Sequence, residues 1–395
     1  MQRISSLRAG SFRQHLAMPG ILMVAILAAA AFWLVPAVPA QGQAVPSSLT
    51  EGATESVLKS KRNMWTVGIA AGLLEGTNML LADEIAKVLD DGDNLRVLPI
   101  VSHGAASNLD DLLYLRGVDV AITQSDVFEY FRTERKTPSL EERVHYILRL
   151  PVAEMHILAR SDVKTLEDLR GKRVNFGPAG SGSSLSGTIV FQRLGIQVQQ
   201  TLVDNQSALQ RLINGEVDAL IRVVGKPVPF FVKIPPGSGL HFVAIPYSKA
   251  LSDTYALAEF DAKDYPGLIA PGARVETIAV PAVLAVFNWA PGNDRHRRVK
   301  RFVEQLFAKW DRLQKPPFHP KWRDINLAAT VPGWKRFSVA EEQLQLKASA
   351  TGDTLEQDFR LFMRQTGAVP KGETEREALF QSFLAWRERQ NRQRR

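Results

Sequence analysis

The chain has no cysteine among its 395 residues, so disulfides and thiolate metal sites are excluded. Its seven histidines (His15, His103, His145, His156, His241, His296 and His319) form no HxH, HxxxH or HExxH pair, which leaves a compact histidine metal site without support. There is no Gly-x-Ser-x-Gly nucleophile elbow. Gly177 and Gly182 have Walker A spacing, but Ser183 stands where the phosphate-binding lysine belongs, which argues against a nucleotide hydrolase. Gly72 and Gly76 are wrongly spaced for a dinucleotide fingerprint. No internal repeat is evident at the residue level. The expectation from these absences is a chain with no catalytic residues, no metal and no cofactor.

Acidic residues are missing from the first 40 positions, which hold Arg3, Arg8 and Arg13. An apolar run from Ile21 to Val35 follows, then the small-residue stretch Ala37-Val38-Pro39-Ala40. This is the pattern of a secretory signal peptide over 1–40, cut after Ala40. The alternative is an uncleaved anchor, although the run is short of the roughly 20 residues that span a bilayer. The net charge of +8 is concentrated at the ends. Three of these charges lie in the first 40 residues and four in the last ten, so the body between them is left at +1. A near-neutral body gives no argument for a nucleic-acid partner.

After a polar stretch read as a linker over 41–61, strand-like and helix-like segments alternate. Trp65–Ala70, Leu95–Val101 and Val118–Thr123 read as strands. Met79–Leu89 and Asn108–Leu115 read as the intervening helices, the second capped by Asn108. This β-α-β-α-β order predicts a parallel sheet with crossover helices. A second unit of the same kind begins near Pro151, with strands at Glu154–Ala159, Lys172–Phe176, Val198–Val203, Val217–Val223 and Phe242–Ile245. Its helices are expected at 161–169, from the Gly/Ser loop to Leu194, and at Ala208–Ile213. The apolar run Val275–Phe287 contains Pro281 and is too long for an ordinary strand. It reads as the chain crossing back to the first unit. Arg297–Leu313 has the stripe of an amphipathic helix. Leu355–Gln365 and Thr374–Arg389 read as helices of a C-terminal extension, the first stopped by Gly367 and Pro370, the second opened by a Thr374/Glu377 capping box.

In open parallel sheets, ligands bind beyond the C-terminal ends of strands. Four segments with small residues and side-chain donors fall there: 71–77, 102–107, 124–126 and 177–184. The last, Gly177-Pro178-Ala179-Gly180-Ser181-Gly182-Ser183-Ser184, presents several backbone N–H groups and hydroxyls at the start of a helix, which makes an anion cradle. The expected ligand-binding residues are Gly76, Thr77, His103, Gln124, Ser125, Gly180, Ser181, Gly182, Ser183 and Arg222. Arg222 is included because a guanidinium suits a carboxylate. Lys226 is a weaker candidate of the same kind. Glu75 reads as solvent-facing or as a partner for an amine or a proton of the ligand, and His156 as a core or hinge-side residue.

Several motifs fall in one order from about Trp65 to about Arg336. They are Val67–Ala70 with Gly72–Thr77, Gln124-Ser125-Asp126, His156–Arg160, Asp168–Gly177 and Gly180–Ser183. Gly215–Ala219, Gly225-Lys226-Pro227 and Tyr265-Pro266-Gly267 complete the set. This order resembles the TAXI-type (TRAP-associated extracytoplasmic immunogenic) solute receptors of tripartite periplasmic transporters. Asn78 and Met79 depart from the aromatic residues usual after the Gly-Thr turn, as do Leu73, Leu74 and Glu75 from smaller ones.

The resemblance implies an α/β fold of two-lobe, periplasmic-binding-protein-like (type II) architecture, with parallel-sheet lobes joined by a hinge and a helical C-terminal extension. Lobe 1 would take 62–150 and 272–336, lobe 2 would take 151–271, and the extension 337–395. It also implies a periplasmic receptor that holds a small organic anion, a carboxylate or acidic amino acid, and delivers it to membrane TRAP transporter subunits driven by an ion gradient. The alternatives are an ABC-type periplasmic binding protein, a ligand sensor or scaffold acting through the C-terminal tail, and an enzyme using His103 and Glu75 as an acid/base pair.

Overall fold

The computed structural model describes residues 55–366 and, beyond them, 377, 379, 381–387 and 389. The expected signal peptide, most of the linker, and the helix signals at Gly367, Pro370 and Thr374 lie outside the described residues. Among the described residues no helix is long and apolar enough to cross a membrane.

The chain opens with α1 (Glu55–Met64), so the linker expected through residue 61 is helical from Glu55. Its exposed face hides the signal, because most of its residues are polar. Then follow β1 (Thr66–Gly72), α2 (Thr77–Leu89), β2 (Arg96–Val101), α3 (Ala105–Tyr114), β3 (Val120–Gln124), α4 (Ser125–Thr133), α5 (Leu140–Arg143) and β4 (Val144–Arg160). The second half-turn of the fold comprises β5 (Arg173–Asn175), α6 (Gly182–Arg193), β6 (Gln199–Thr201), α7 (Asn205–Ile213), β7 (Ala219–Val224), α8 (Pro229–Val232), β8 (Leu240–Phe242), α9 (Lys249–Ser252) and β9 (Ala256–Asp261). Next, β10 (Arg274–Phe287) returns to the first sheet half, and α10 (Asp294–Ala308), α11 (Trp310–Leu313) and α12 (Ser338–Thr366) follow.

The strands form one continuous sheet in the order β2-β1-β3-β10-β4-β7-β5-β6, with β8 added on β4 and β9 on β10. In one half, β1 pairs in parallel with β2 and β3, and β10 runs antiparallel to β3. In the other, β5 pairs in parallel with β6 and β7, and β4 runs antiparallel to β7. The two halves repeat one plan, three parallel strands closed by one antiparallel strand from the opposite direction. That is the two-lobe, type II periplasmic-binding-protein-like architecture. Each lobe has apolar clusters on both faces of its sheet half: α2 and α10 against α3 and α4 in the first, α6 against α7 and Phe231 in the second.

The link between lobes is a pair of long strands. β4 has 17 residues and β10 has 14, and both pass through the two halves. The 275–287 run, read as too long for one strand, is therefore a single strand, and β4 extends ten residues upstream of its expected start at Glu154. Burial on both faces explains the unbroken apolar run. Their mutual register slips between Pro281 and Val283, opposite Val152 and Arg149. Pro281 offers no N–H to the ladder, and Pro151 sits beside it on the partner strand, so pairing is weakest where the strands leave one lobe for the other.

Three smaller expectations also change. The helix expected at 161–169 is only a single 3-10 turn, Glu167–Leu169. Arg297–Leu313 divides into α10 and the short α11. α3 begins at Ala105 rather than at a cap on Asn108. Asn108 is instead fully buried within the helix, accepting from Ser102 Oγ and donating to Ile122 O at 2.6 Å. The C-terminal boundary drawn at 336/337 falls inside a core. Phe337, Val339 and Ala340 pack with α2 and α10, and Trp334 stacks on Phe128 at 3.8 Å.

Candidate functional site

The strand-end turns of both lobes meet over one narrow cleft, with about 70 Å³ of space for a guest as the lobes stand. From the first lobe come Gly72, Leu73, Gly76, Thr77 and Asn78, then His103, Gly104 and Ala105, then Gln124. From the second come Ser181, Gly182, Ser183, Asn205 and Arg222 to Gly225. The hinge segment Pro151–Ala153 forms the floor.

Three helix N-termini open onto this space: α2 at Gly76–Asn78, α3 at Gly104–Ala105 and α6 at Ser181–Ser183. Each supplies orphan backbone N–H groups and the positive end of a helix dipole. Ser181 caps α6, its Oγ accepting from Ser184 N at 3.0 Å. Ser183 Oγ accepts from Val223 N at 2.8 Å, which ties the cradle to the end of β7. Both hydroxyls keep a proton to donate. Among the described residues the backbone N–H groups of Gly182 and Ser183 have no protein acceptor. Gly104 sits at φ +125°, a region that side chains rarely adopt, and a Cβ there would press on the Ser181 backbone at 3.0 Å. The close approach of the two cradles therefore depends on glycine.

Among the described residues Arg222 is the one basic side chain on the second-lobe wall of the cleft. It is 4% exposed, and among the described residues no carboxylate lies within ion-pair reach of it. Burial pushes its guanidinium below the usual arginine range, while the charge of Glu75 works in the opposite direction. Phe230 lies under the guanidinium at 5.3 Å.

Lys321 is a cleft residue that the sequence did not disclose. It stands on the short 3-10 turn Pro320–Asp324, and its ammonium lies 3.7 Å from Glu154 Oε2. The turn is pinned from beneath: buried Glu84 on α2 accepts from His319 N at 3.0 Å and from the Trp322 indole at 2.6 Å. A Cβ on Gly225 would approach Lys321 Nζ to 2.7 Å, so glycine there leaves room for the ammonium. Burial pushes the Glu154 carboxyl up, and Lys321 opposes that.

The lobes touch across the cleft. Ser107 N donates to Gly180 O at 3.1 Å, and Asn205 Nδ2 donates to Glu75 Oε1 at 3.4 Å. Gln124 is 2% exposed and lies so close to Gly182 that a Cβ there would overlap its Oε1.

Eight of the ten expected ligand residues thus line one cavity: Gly76, Thr77, His103, Gln124, Ser181, Gly182, Ser183 and Arg222. Two do not. Gly180 (φ +77°) spends its carbonyl on the contact with Ser107. Ser125 is in the first turn of α4, with its Oγ buried and without a partner among the described residues. Lys226 turns away, bonding Asp264 Oδ2 at 2.8 Å and Glu259 O at 2.7 Å. Asn205 and Lys321 were missed.

His156 lies directly behind Arg222 in the sheet, paired with it across β4 and β7. It is fully buried and stacks on Phe260 at 4.2 Å. Its Nδ1 faces Glu154 O at 2.9 Å and its Nε2 faces Tyr265 Oη at 2.7 Å, so Nδ1 carries the proton and Tyr265 donates to Nε2. Burial lowers its pKa from 6.5 to about 3. In the unfolded chain the ring takes a proton as pH falls through about 6.5, whereas the folded ring stays neutral down to about 3. This contribution to stability is complete above pH 6.5 and is lost as pH falls, by about 1.4 kcal/mol per unit. In urea unfolding from pH 7 to pH 4, the stability of the native protein minus that of His156→Gln should fall with that slope. A constant difference would contradict the neutral, buried ring.

Solved structures with a similar course include YhfZ from Shigella flexneri, 18% identical over 66% of this chain and 96% of that one, with a TM-score of 0.38. The periplasmic binding protein BugD is 15% identical over 66% of this chain and 85% of its own, with a TM-score of 0.41. An ancestral arginine-binding protein bound to arginine is 20% identical over 63% and 96%, with a TM-score of 0.37. Likenesses this distant carry no reading of the ligand. A family model does match residues 69–331, from the first cradle through Lys321 and so across every wall of the cleft. On that match the chain belongs to the NMT1-like family.

Proposed function

We propose that the protein is an extracytoplasmic solute receptor. It captures a small organic anion, a carboxylate or acidic amino acid, between its lobes and delivers it to the membrane subunits of an ion-gradient-driven TRAP transporter. The observation that carries this reading is Arg222, a buried cation facing the cleft with no carboxylate within ion-pair reach among the described residues, Glu75 acting on it only from farther away. Such a charge is costly unless paired, so the partner is expected from the ligand. Three helix N-termini of the same sign surround it. No hydrogen bond joins His103 and Glu75, and Glu75 is engaged by Asn205 instead, which favours holding over chemistry. Export is supported by the Arg-rich, apolar and small-residue order of the first 40 residues, and the TRAP partner by the ordered motifs that resemble the TAXI-type receptors.

The test is a thermal-shift screen of mono- and dicarboxylates, acidic, neutral and basic amino acids, and inorganic anions, followed by calorimetry. Carboxylates should raise the unfolding temperature and basic amino acids should not. No response from any anion would remove the reading. Gly182→Ala adds a structural check. Its new methyl group meets buried Gln124 and holds the lobes apart, so carboxylate affinity should fall at least tenfold while the unliganded protein unfolds at nearly the same temperature. Unchanged affinity would show that binding does not need closure at this contact.

A further inference from the structure

Asp126 stands beside the cleft but does not line it. It lies in the first turn of α4 in the first lobe and is 1% exposed. Its Oδ2 accepts from Tyr255 Oη at 3.0 Å, and Tyr255 belongs to the core of the second lobe. The Ser186 hydroxyl on α6, also in the second lobe, donates to Gln124 Oε1 at 3.4 Å and stands beside the same carboxyl. The remaining contact is local, Val127 N to Oδ1 at 2.8 Å. None of these groups is a cation. Arg193 on α6 bonds Thr254, with its guanidinium over the Tyr255 ring at 5.8 Å, and among the described residues no cation is within ion-pair reach of the Asp126 carboxyl. Closing the lobes therefore places a carboxyl in an interface of neutral partners, and opening them withdraws two of those partners.

We propose that Asp126, Tyr255 and Ser186 form a proton-linked latch between the lobes, in which closing takes a proton onto the Asp126 carboxyl and opening returns it to water. An unpaired carboxylate removed from water neutralises rather than persists as a charge. Burial pushes the Asp126 carboxyl up, and the hydrogen bonds from Ser186, Tyr255 and Val127 offset this only in part. The tyrosine beside it is also pushed up by burial and by Asp126, so it stays a donor. The sign follows. The closed state holds more protons than the open one, so acid favours closure and alkali favours opening. The latch rests on the reading of the molecule as a closing receptor, but its test needs no ligand.

The chain has no cysteine, so a labelled pair reports the lobes without background. Lys87→Cys on α2 and Gln210→Cys on α7, both exposed, carry spin labels for distance measurement in the anion-free protein at pH 5 and pH 8. The native latch should show more of the short distance at pH 5, with the closed-to-open ratio changing by up to tenfold per pH unit. Asp126→Asn keeps the hydrogen-bonding shape without a titrating group and should give the same distribution at both pH values. Tyr255→Phe should shift the native distribution toward the long distance at both. A native distribution unchanged between pH 5 and pH 8 would overturn the latch, as would an equal pH response in Asp126→Asn. Neither result touches the anion reading, which stands or falls on the ligand screen.

Discussion

Replacing Arg222 with alanine should reduce carboxylate affinity by at least a hundredfold in calorimetry. The guanidinium is buried, faces the cleft and has no carboxylate of the protein to pair with among the described residues. A ligand acid group meeting it makes a charge-assisted, bidentate contact. Removing one partner of such a desolvated pair costs about 2–5 kcal/mol, so a hundredfold loss lies within that range. Arg222→Lys keeps the charge but not the fork and should fall between the native protein and the alanine variant. The same reasoning makes an opposite claim about stability. An unpaired buried cation burdens the unliganded protein, so Arg222→Met should unfold at a higher temperature than the native chain when no ligand is present. A variant that loses neither affinity nor the stability penalty would show that Arg222 is a satisfied structural residue.

Trp322→Ala should destabilise the protein by about 3–5 kcal/mol in urea unfolding, as deletion of a large, fully buried aromatic side chain does. Trp322 is 0% exposed and meets Trp310 edge-on at 5.6 Å. Its indole also supplies one of the donors that satisfy buried Glu84. Trp322→Phe preserves most of the volume and leaves Glu84 short of that donor, at a cost of about 1–3 kcal/mol. The phenylalanine variant separates packing from positioning. If the turn exists to hold Lys321 in the cleft, Trp322→Phe should weaken carboxylate binding as well as stability. If binding is unaffected while stability falls, the Glu84 clamp serves the core alone.

The sequence showed the repeated β-α-β plan because each crossover helix carries its own apolar stripe and each strand its own buried run. It also showed the cradles, since Gly76-Thr77 and Gly180–Ser183 break periodic segments with residues that suit a backbone approach. What it hid depends on contacts distant in the chain. Lys321 stands in the cleft on a turn held by Glu84, 237 positions earlier. Asn205 begins α7 but reads locally as an ordinary helix start beside its cap Asp204. Lys226, a weaker candidate of the same chemistry as Arg222, is diverted by Asp264, a partner no local pattern announces. Gly180 and Ser125 lie within the correct motifs, but they serve the contact between lobes and the start of α4. The long strands were misread because a buried two-sided strand has no alternation to measure.

A crystal structure of the protein purified without denaturation or added ligand tests the central claim most directly. The account predicts a small molecule retained between the lobes, with an acid group about 3 Å from the Arg222 guanidinium and turned toward the N-termini of α2, α3 and α6. A guest that presents a cationic or wholly apolar end to Arg222, or an ion pair between Arg222 and a side chain of the protein in an empty cleft, would contradict it.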